Sequence, residues 1–188
     1  NGASSFNQNI SSWDVGAVIS NDAYYNFAVN CPLTGEKDPS GLFIPTEKSK
    51  LELAVGEWLT DASSATESYG DIATWNTYFI TDMSELFQDA SGFNQDIGKW
   101  NTGSVTTMSR MFERALTLNQ DIGKWDVSLV EKMSAMFSGA ESFNKELDSW
   151  NTSAVKDMSY MFSGASSFNQ DISSWDVGAV ISNDAYYN

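Results

Sequence analysis

The sequence predicts an α/β solenoid in which about five repeats of 25 residues, each a strand and a short helix, stack behind an N-terminal helical cap. Several residue types recur in one register: a tryptophan, a methionine, a phenylalanine, an asparagine and an aliphatic residue. The recurring tryptophans are Trp75, Trp100, Trp125, Trp150 and Trp175. One strand and one short helix cannot bury their apolar faces alone, so successive repeats must stack into a continuous core.

Apolar residues at spacings of three and four predict the short helix of each repeat. In one repeat they are Val105, Met108, Met111, Phe112 and Ala115. In the next repeat, Ser128 and Glu131 stand at capping-box spacing and predict where the helix begins. The segment 93–100 is too short for a second helix, and we interpret it as a short strand followed by a bend. If neighbouring strands pair, each repeat advances the stack by roughly 4.7–4.9 Å.

A different pattern precedes the repeats and predicts the helical cap over residues 46–68. Thr46 is placed to act as an N-cap. An apolar stripe at helical spacing follows, formed by Leu51, Ala54, Val55, Trp58 and Leu59. Residues 61–68 then predict a second short helix or a turn. A helix here would cover the first turn of the repeat region, which we assign to residues 69–188.

A second and longer period of 162 residues is also present. Residues 2–26 are identical to residues 164–188 except at Asn9, which corresponds to Asp171. Because 162 is not a multiple of 25, the long unit contains more than the short repeats. The additional piece lies between residue 27 and about residue 68, and it holds all three prolines and the cysteine. We interpret its first part, residues 27–45, as an inter-unit linker. The first 26 residues are then the last repeat of a preceding tandem unit, and the parent protein is an array.

Composition excludes several classes of function. The chain has 10 basic and 25 acidic residues, a net charge of −15, so nucleic acid and anionic bilayers would be repelled. It has no histidine, which excludes Ser-His-Asp and Cys-His catalysis and His-containing zinc sites. No apolar run is long enough to insert into a membrane. A paired-carboxylate enzyme needs two acids in unlike surroundings, whereas a ladder gives every acid similar surroundings. We therefore expect no enzyme and no catalytic residue.

The repeats resemble a known family. The strings MFSGASSFNQDISSWDV, MFERALTLNQDIGKWDV and VKDMSYMFSGA closely resemble the 25-residue repeat of BspA-like leucine-rich-repeat surface proteins, also called the DUF285 repeat. The stretch LELAVGEWLTDASSATESYGDIATWN looks like the helical lead-in of such domains. The resemblance implies a leucine-rich-repeat-like stack on secreted or cell-surface proteins that serve attachment or matrix building. It implies no shared catalytic residues.

Two features are candidates for a binding or cross-linking role. Acidic residues occupy one repeat position, so that like charges would stack one strand spacing apart, which is unfavourable without compensation. One hypothesis is that calcium or another hard cation binds to four of them, Asp96, Asp121, Glu146 and Asp171, with Asp71 in the same column. The alternative is a hydrated acidic stripe that serves solubility. Cys31, which occurs once per 162-residue unit, is a candidate for cross-linking chains.

The asparagine column is predicted to be structural. Side-chain amides at a fixed bend can satisfy backbone groups of the neighbouring turns, so Asn94, Asn119, Asn144 and Asn169 need no ligand. The tryptophan and methionine columns are likewise expected to be core ladders rather than sugar platforms or metal boxes.

We expect an extracellular structural or adhesive module of a tandem-array protein, acting through stiffness and multivalency. It would need no cofactor, with calcium as an optional ligand. Its partners would be adjacent copies of the same unit, head-to-tail, and an extracellular polysaccharide or surface. The alternative is a carbohydrate- or protein-recognition module that uses the strand face, assisted by a cation.

Overall fold

The computed structural model describes residues 41–181. Two helices come first, α1 (Lys48–Thr60) and α2 (Ala62–Tyr69), followed by one 3-10 turn over Ile72–Thr74. The remainder of the described chain, residues 75–181, is built from turns. Residues 1–26, most of the predicted linker and its Cys31, and residues 182–188 lie outside the described part of the chain, so the predictions made for them stay predictions.

The predicted α/β solenoid of strand and short-helix repeats is wrong. Residues 41–181 contain no strand, and the repeats from residue 75 onward contain no helix. Neighbouring repeats share isolated parallel bridges instead, at Asp82 to Thr107, Thr107 to Lys132 and Lys132 to Asp157. The sequence periodicity is therefore real, but the local structure inferred from it is not.

Backbone conformation explains why the predicted helix does not form. Two positions in each repeat have a positive φ, a left-handed conformation that a right-handed helix cannot accommodate. The first column is Glu85, Arg110, Ala135 and Tyr160, with φ of 63°, 57°, 52° and 56°. The second column is Asp89, Arg114, Gly139 and Gly164. Only two of these eight residues are glycine, so the sequence carries little warning of the break.

The apolar spacing that suggested a helix comes from consecutive tight turns. The N–H of Met111 donates to the carbonyl of Met108 at 3.1 Å, and the N–H of Ala115 donates to Phe112 at 3.0 Å. Leu118 closes the next turn onto Ala115 at 3.1 Å. Each turn brings a residue back to the inner face after three positions, so apolar residues recur with nearly the helical period. Ser128 starts no helix, and its N–H instead donates to Asp126 Oδ1 at 3.0 Å.

Alternate N–H groups leave their own repeat and join the next one. Met108 donates to the carbonyl of Lys132 at 2.9 Å, Arg110 to Ser134 at 2.8 Å, and two further N–H groups continue the series, Phe112 to Met136 at 2.9 Å and Arg114 to Ser138 at 2.7 Å. The intervening N–H groups close the turns within the repeat. Successive repeats are thus stacked as layers that share backbone hydrogen bonds, without a continuous strand.

The core is a continuous column of recurring side chains. Phenylalanine rings stack from layer to layer, with centroids 5.5 Å apart for Phe87 and Phe112, 5.7 Å for Phe112 and Phe137, and 5.4 Å for Phe137 and Phe162. The methionines Met83, Met108 and Met133 are completely buried beside them. Full burial of one such side chain stabilises the fold by about 1.5–3 kcal/mol, so this column contributes substantially to the stability.

Helix α1 closes one end of the stack. It buries Leu51, Ala54 and Val55, and its Trp58 packs edge-on against Trp75 at a centroid distance of 5.9 Å. Phe43 approaches the same Trp75 ring at 5.2 Å. Most of the predicted apolar stripe of α1 therefore covers the first layer, but Leu59, which the prediction also included, is 43% exposed.

The helix boundaries depart slightly from prediction. The N-cap of α1 is Glu47 rather than Thr46, and its side chain makes no capping hydrogen bond. Helix α2 begins after Asp61, whose carboxylate accepts from the N–H groups of Ser63 and Ser64 at 3.0 and 3.2 Å. This N-cap satisfies two of the unpaired N–H groups of the helix, which explains why α2 forms where a helix or a turn was predicted.

Candidate functional site: the repeated polar columns

The tryptophan column ties each layer to the one before it. The indole Nε1 of Trp100 donates to the carbonyl of Ile72 at 2.8 Å, and Trp125 donates to Ile97 at 3.1 Å. Trp150 and Trp175 repeat the bond to Ile122 and Leu147, at 3.2 and 2.9 Å. The rings of Trp100, Trp125 and Trp150 are only 3% exposed. They are core residues, as predicted, and have no free face for a sugar.

The asparagine column bonds neighbouring layers through its side chains. Asn94 Oδ1 accepts from the N–H of Asn119 at 2.8 Å, Asn119 Oδ1 from Asn144 at 3.1 Å, and Asn144 Oδ1 from Asn169 at 3.0 Å. Gln120 adds bonds from its Nε2 to the Asn94 carbonyl and Oδ1, at 2.6 and 2.9 Å. The structural role predicted for this column is confirmed.

The aspartates of the acidic column close bends within their own repeats. Asp96 Oδ1 accepts from the N–H of Gly98 at 2.9 Å, and Asp121 does so from Gly123 at 3.1 Å. Asp71 and Asp171 make the same bond to the N–H two residues ahead, at 3.0 and 2.9 Å. The backbone and side-chain hydrogen bonds from Ser173 lower the pKa of Asp171. The four aspartates therefore serve the local geometry of the turn as Asx turns, whereas Glu146, the remaining member of the column, makes no such bond within the described chain.

The cation hypothesis finds no supporting cluster. Within residues 41–181, no three acidic or cysteine side chains are grouped so that they could hold a metal ion. Asp96, Asp121, Glu146 and Asp171 lie at the surface, and all four are exposed. Calcium binding to this column stays a prediction, whereas the hydrated acidic stripe matches the exposure of its members.

Ion pairs line the outer side of the turns. Arg114 Nη2 donates to Asp89 Oδ2 at 2.8 Å, across the 25 residues that separate neighbouring layers. The hydrogen bond from Arg114 lowers the pKa of Asp89. Lys156 pairs with Glu131 at 2.8 Å, and the hydrogen bond from that lysine lowers the pKa of Glu131. Such exposed pairs each contribute only about 0–1 kcal/mol, so they steer the register of the layers more than they stabilise them.

One groove lies between the cap and the first layer. It has a volume of about 470 Å³ and is lined by residues of α1, α2 and the segment 88–95, including Trp58, Leu59, Asp89 and Phe93. Two of its polar side chains are engaged elsewhere: Gln88 Nε2 donates to Glu113 Oε2 at 2.7 Å, and Asp89 is paired with Arg114. Ser91 and Gln95 also line the groove, so it combines an apolar wall with polar groups.

A threonine column was missed by sequence reasoning. Thr77 Oγ1 donates to the carbonyl of Asn101 at 2.8 Å, Thr102 to Asp126 at 2.9 Å and Thr152 to Asp176 at 2.9 Å. All three threonines are at most 2% exposed. Their recurrence every 25 residues could have revealed them, but valine stands at the equivalent positions 127 and 177 and obscures the pattern. No buried side-chain nitrogen or oxygen in the described chain lacks a hydrogen-bond partner.

One family model matches most of the chain. Residues 1–32 and 57–175 match the family model described as Mycoplasma protein of unknown function, DUF285. The chain belongs to the DUF285 family. The longer DUF285 match runs from the last turn of α1 to the last tryptophan, and the shorter one covers the segment whose sequence duplicates the final repeat.

The other comparisons add no function to the DUF285 assignment. No curated protein and no solved structure matches this chain. In the part of the chain that the structure describes, no helix has the length and the apolarity needed to cross a membrane.

Proposed function

We propose that this DUF285 protein is a structural or adhesive module, one stiff unit of a tandem-array protein at the cell surface or in an extracellular matrix. The observation that carries the proposal is the use of the recurring polar side chains. The indole, amide and hydroxyl groups of the Trp, Asn and Thr columns bond one layer to the next. The most strongly repeated residues are thus engaged in holding the stack together, which favours a mechanical role over recognition by those columns.

The surface chemistry supports the same proposal. Charged and acidic side chains are spread along the outer turns, where Asp96, Asp121 and Asp171 combine a role in the turn with exposure to solvent. Such a surface keeps a high concentration of copies soluble through the net charge of −15. Weak contacts made by each copy then add up through multivalency. The BspA-like resemblance, with its surface location, is part of this proposal.

Mechanical measurement tests the proposal. Several copies of the 162-residue unit, joined in tandem, would be pulled in an atomic force microscope. Because each stack is held by many parallel inter-layer bonds, we expect evenly spaced unfolding peaks of similar force. Unfolding without discrete peaks, at forces near the noise, would contradict a load-bearing role.

The second candidate is a recognition module that uses the groove beside α1. Trp58 and Phe93 supply an apolar wall in a volume of about 470 Å³, which suits the face of a sugar ring. A glycan array probed with a single unit separates the two candidates. Saturable binding that is lost in Trp58→Ala would favour recognition, and absence of any saturable ligand would favour the structural module.

A further inference from the structure

The last layer of the stack leaves its outer face uncovered within the described chain. We define the open end as residues 158–175. Phe162, Phe168 and Trp175 are only partly buried there. Their counterparts one layer back are buried, Phe137 and Phe143 completely and Trp150 with 3% exposed. Within residues 41–181, Asn169 Oδ1 has no hydrogen-bond donor, whereas Asn94, Asn119 and Asn144 each accept from the next layer. The open end can therefore accept a further layer.

The contacts inside the stack show what the open end would accept. Phe168 stacks on Phe143 with centroids 6.0 Å apart, and Trp175 stacks on Trp150 at 6.0 Å. The next layer would place a phenylalanine on Phe168 and a tryptophan on Trp175. It would also place a backbone N–H against Asn169 Oδ1, as Asn169 itself stands against Asn144. An indole N–H would face the carbonyl of Ile172, as Trp175 Nε1 faces Leu147.

One segment of this chain has the residues that the open end requires. Residues 2–26 repeat the sequence of residues 164–188, with Phe6, Asn7 and Trp13 in the positions of Phe168, Asn169 and Trp175. We propose that residues 2–26 of a second copy of the chain add to the open end as one further layer, in the register set by the repeats. Phe6 then covers Phe168, the N–H of Asn7 donates to Asn169 Oδ1, and Trp13 Nε1 donates to the Ile172 carbonyl.

The single difference between the two copies of this sequence fits the proposal. Asn9 stands where the final repeat has Asp171, and docking places Asn9 one layer above Asp171. An asparagine side chain can close the same Asx turn, with its Oδ1 accepting from the N–H of Ser11. It does so without adding another negative charge to the acidic column, where like charges are unfavourable. The neutral residue thus stands at the position where a charge would weaken the contact between copies.

We assign the contact to a second molecule. Within one chain, residues 27–40 would have to run from the capped end, where Phe43 packs on Trp75, along the whole stack to the open end, whereas a second copy needs no such crossing. Each copy then has one donor segment and one acceptor end, a head-to-tail contact that does not close on itself and produces open chains of copies. This inference rests on the proposed head-to-tail role and specifies the residues that make the contact.

A cysteine cross-link tests the contact in the full-length chain. All variants carry Cys31→Ser, so that the introduced thiols are the only ones. One chain receives Ser5→Cys and a second receives Ser167→Cys, two equivalent positions that the proposal brings to about one layer spacing of 4.7–4.9 Å. That spacing lies within the range of Cα distances that a disulfide spans. We expect a covalent heterodimer after mild oxidation of the mixture. The matched control is Ser142→Cys, which occupies the same column one layer inside the stack and should not cross-link to Ser5→Cys.

The difference in charge between Asn9 and Asp171 gives a second test, which needs no introduced cysteine. Asn9→Asp should weaken association about tenfold at low salt, measured by sedimentation equilibrium, and adding Asp171→Asn should restore it. Failure of the cross-link, or cross-linking only within one chain that carries both cysteines, would overturn the inference. If that failure is accompanied by regular unfolding peaks in the tandem protein, the proposed mechanical function survives without it. If neither the cross-link nor the regular unfolding peaks are observed, both proposals are wrong.

Discussion

The two ends of the stack differ in how they are closed. At the first end, α1 buries Leu51, Ala54 and Val55, and the rings of Phe43 and Trp58 pack against Trp75. At the other end, Phe168 and Trp175 are only partly covered within the described residues. The segment Asp71–Trp75 at the first end corresponds to Asp171–Trp175 at the other, so the difference shows that the repeat supplies the layers but not their termination. A stacked repeat protein needs a separate element for each end.

The comparison also divides the side chains into two groups by their energetic role. A residue in an inner layer is bonded on both sides, as Asn119 accepts from Asn144 and donates to Asn94. Its counterpart in the last layer is bonded on one side, as Asn169 only donates within the described chain. Equivalent substitutions should therefore cost more in the middle than at the open end.

The largest difference is expected for the tryptophans. Trp125→Ala removes a side chain that is 3% exposed and bonded to Ile97, and should lower the free energy of unfolding by about 3–5 kcal/mol. Trp175→Ala removes a partly buried ring and should cost about 1–2 kcal/mol. Urea unfolding followed by circular dichroism measures both. Equal losses would show that the end is as well packed as the middle.

The close approach of layers is tested at a glycine. A Cβ at Gly98 would lie 2.5 Å from the backbone carbonyl oxygen of Asp121 in the next layer, a contact that forces the layers apart. Gly98→Ala should therefore cost about 1–3 kcal/mol. Gly103→Ala in the same layer is the matched control, because its Cβ would meet no atom closer than 3.5 Å. Similar thermal stabilities for the two variants would argue against the layer spacing described above.

A smaller effect is expected in the asparagine column. Asn94→Ala removes an acceptor of bonds from the N–H of Asn119 and from Gln120, and should destabilise the protein by about 1–2 kcal/mol. Asn169→Ala leaves its own backbone donation to Asn144 in place and should be within about 0.5 kcal/mol of the parent. Differential scanning calorimetry compares the pair. A greater loss of stability in Asn169→Ala than in Asn94→Ala would contradict the expectation that the last layer contributes least.

The smallest effect is a pH dependence at the capped end. Burial alone would raise the pKa of Asp82, but hydrogen bonds from Ser84 and the charge of Lys48 outweigh it and lower that pKa. The stabilisation is thus fully present above about pH 4, the unfolded pKa, and is lost as the pH falls through the lower folded pKa. The parent should exceed Asp82→Asn in stability by less than about 1 kcal/mol at pH 7, because the pair is partly exposed. The unfolding free energies of the parent and of Asp82→Asn should converge near pH 2. A difference between them that grows as the pH falls would be inconsistent with this assignment.

The sequence predicts which residues are inside this protein better than it predicts their local structure. The face formed by Val105, Met108, Met111, Phe112 and Ala115 is entirely buried. The helix inferred from it is absent because turns closed every three residues nearly reproduce the helical period. Left-handed backbone at Arg110 and Ala135 is set by the packing of layers, not by residue type, so propensity could not reveal it.

The candidate site shows the same limit. The structural role of the asparagine column could be predicted, since an amide at a bend has few alternatives. The role of Asp96 and Asp121 in Asx turns was not predicted. A column of acidic residues suggested cation ligands, whereas the bond that Asp96 accepts from Gly98 depends on the local backbone geometry. The signal available in the sequence was a glycine two residues after each of these aspartates.

Amide hydrogen exchange tests the central claim most directly, because it reports the inter-layer bonds one by one. The stack predicts a gradient of protection: the N–H of Met108 and Phe112 and the indole N–H of Trp125 should exchange slowest, and the layer of Phe168 and Trp175 fastest. The gradient should flatten when copies associate at high concentration. Uniform protection of the dilute chain, or fastest exchange in the middle layers, would contradict the account.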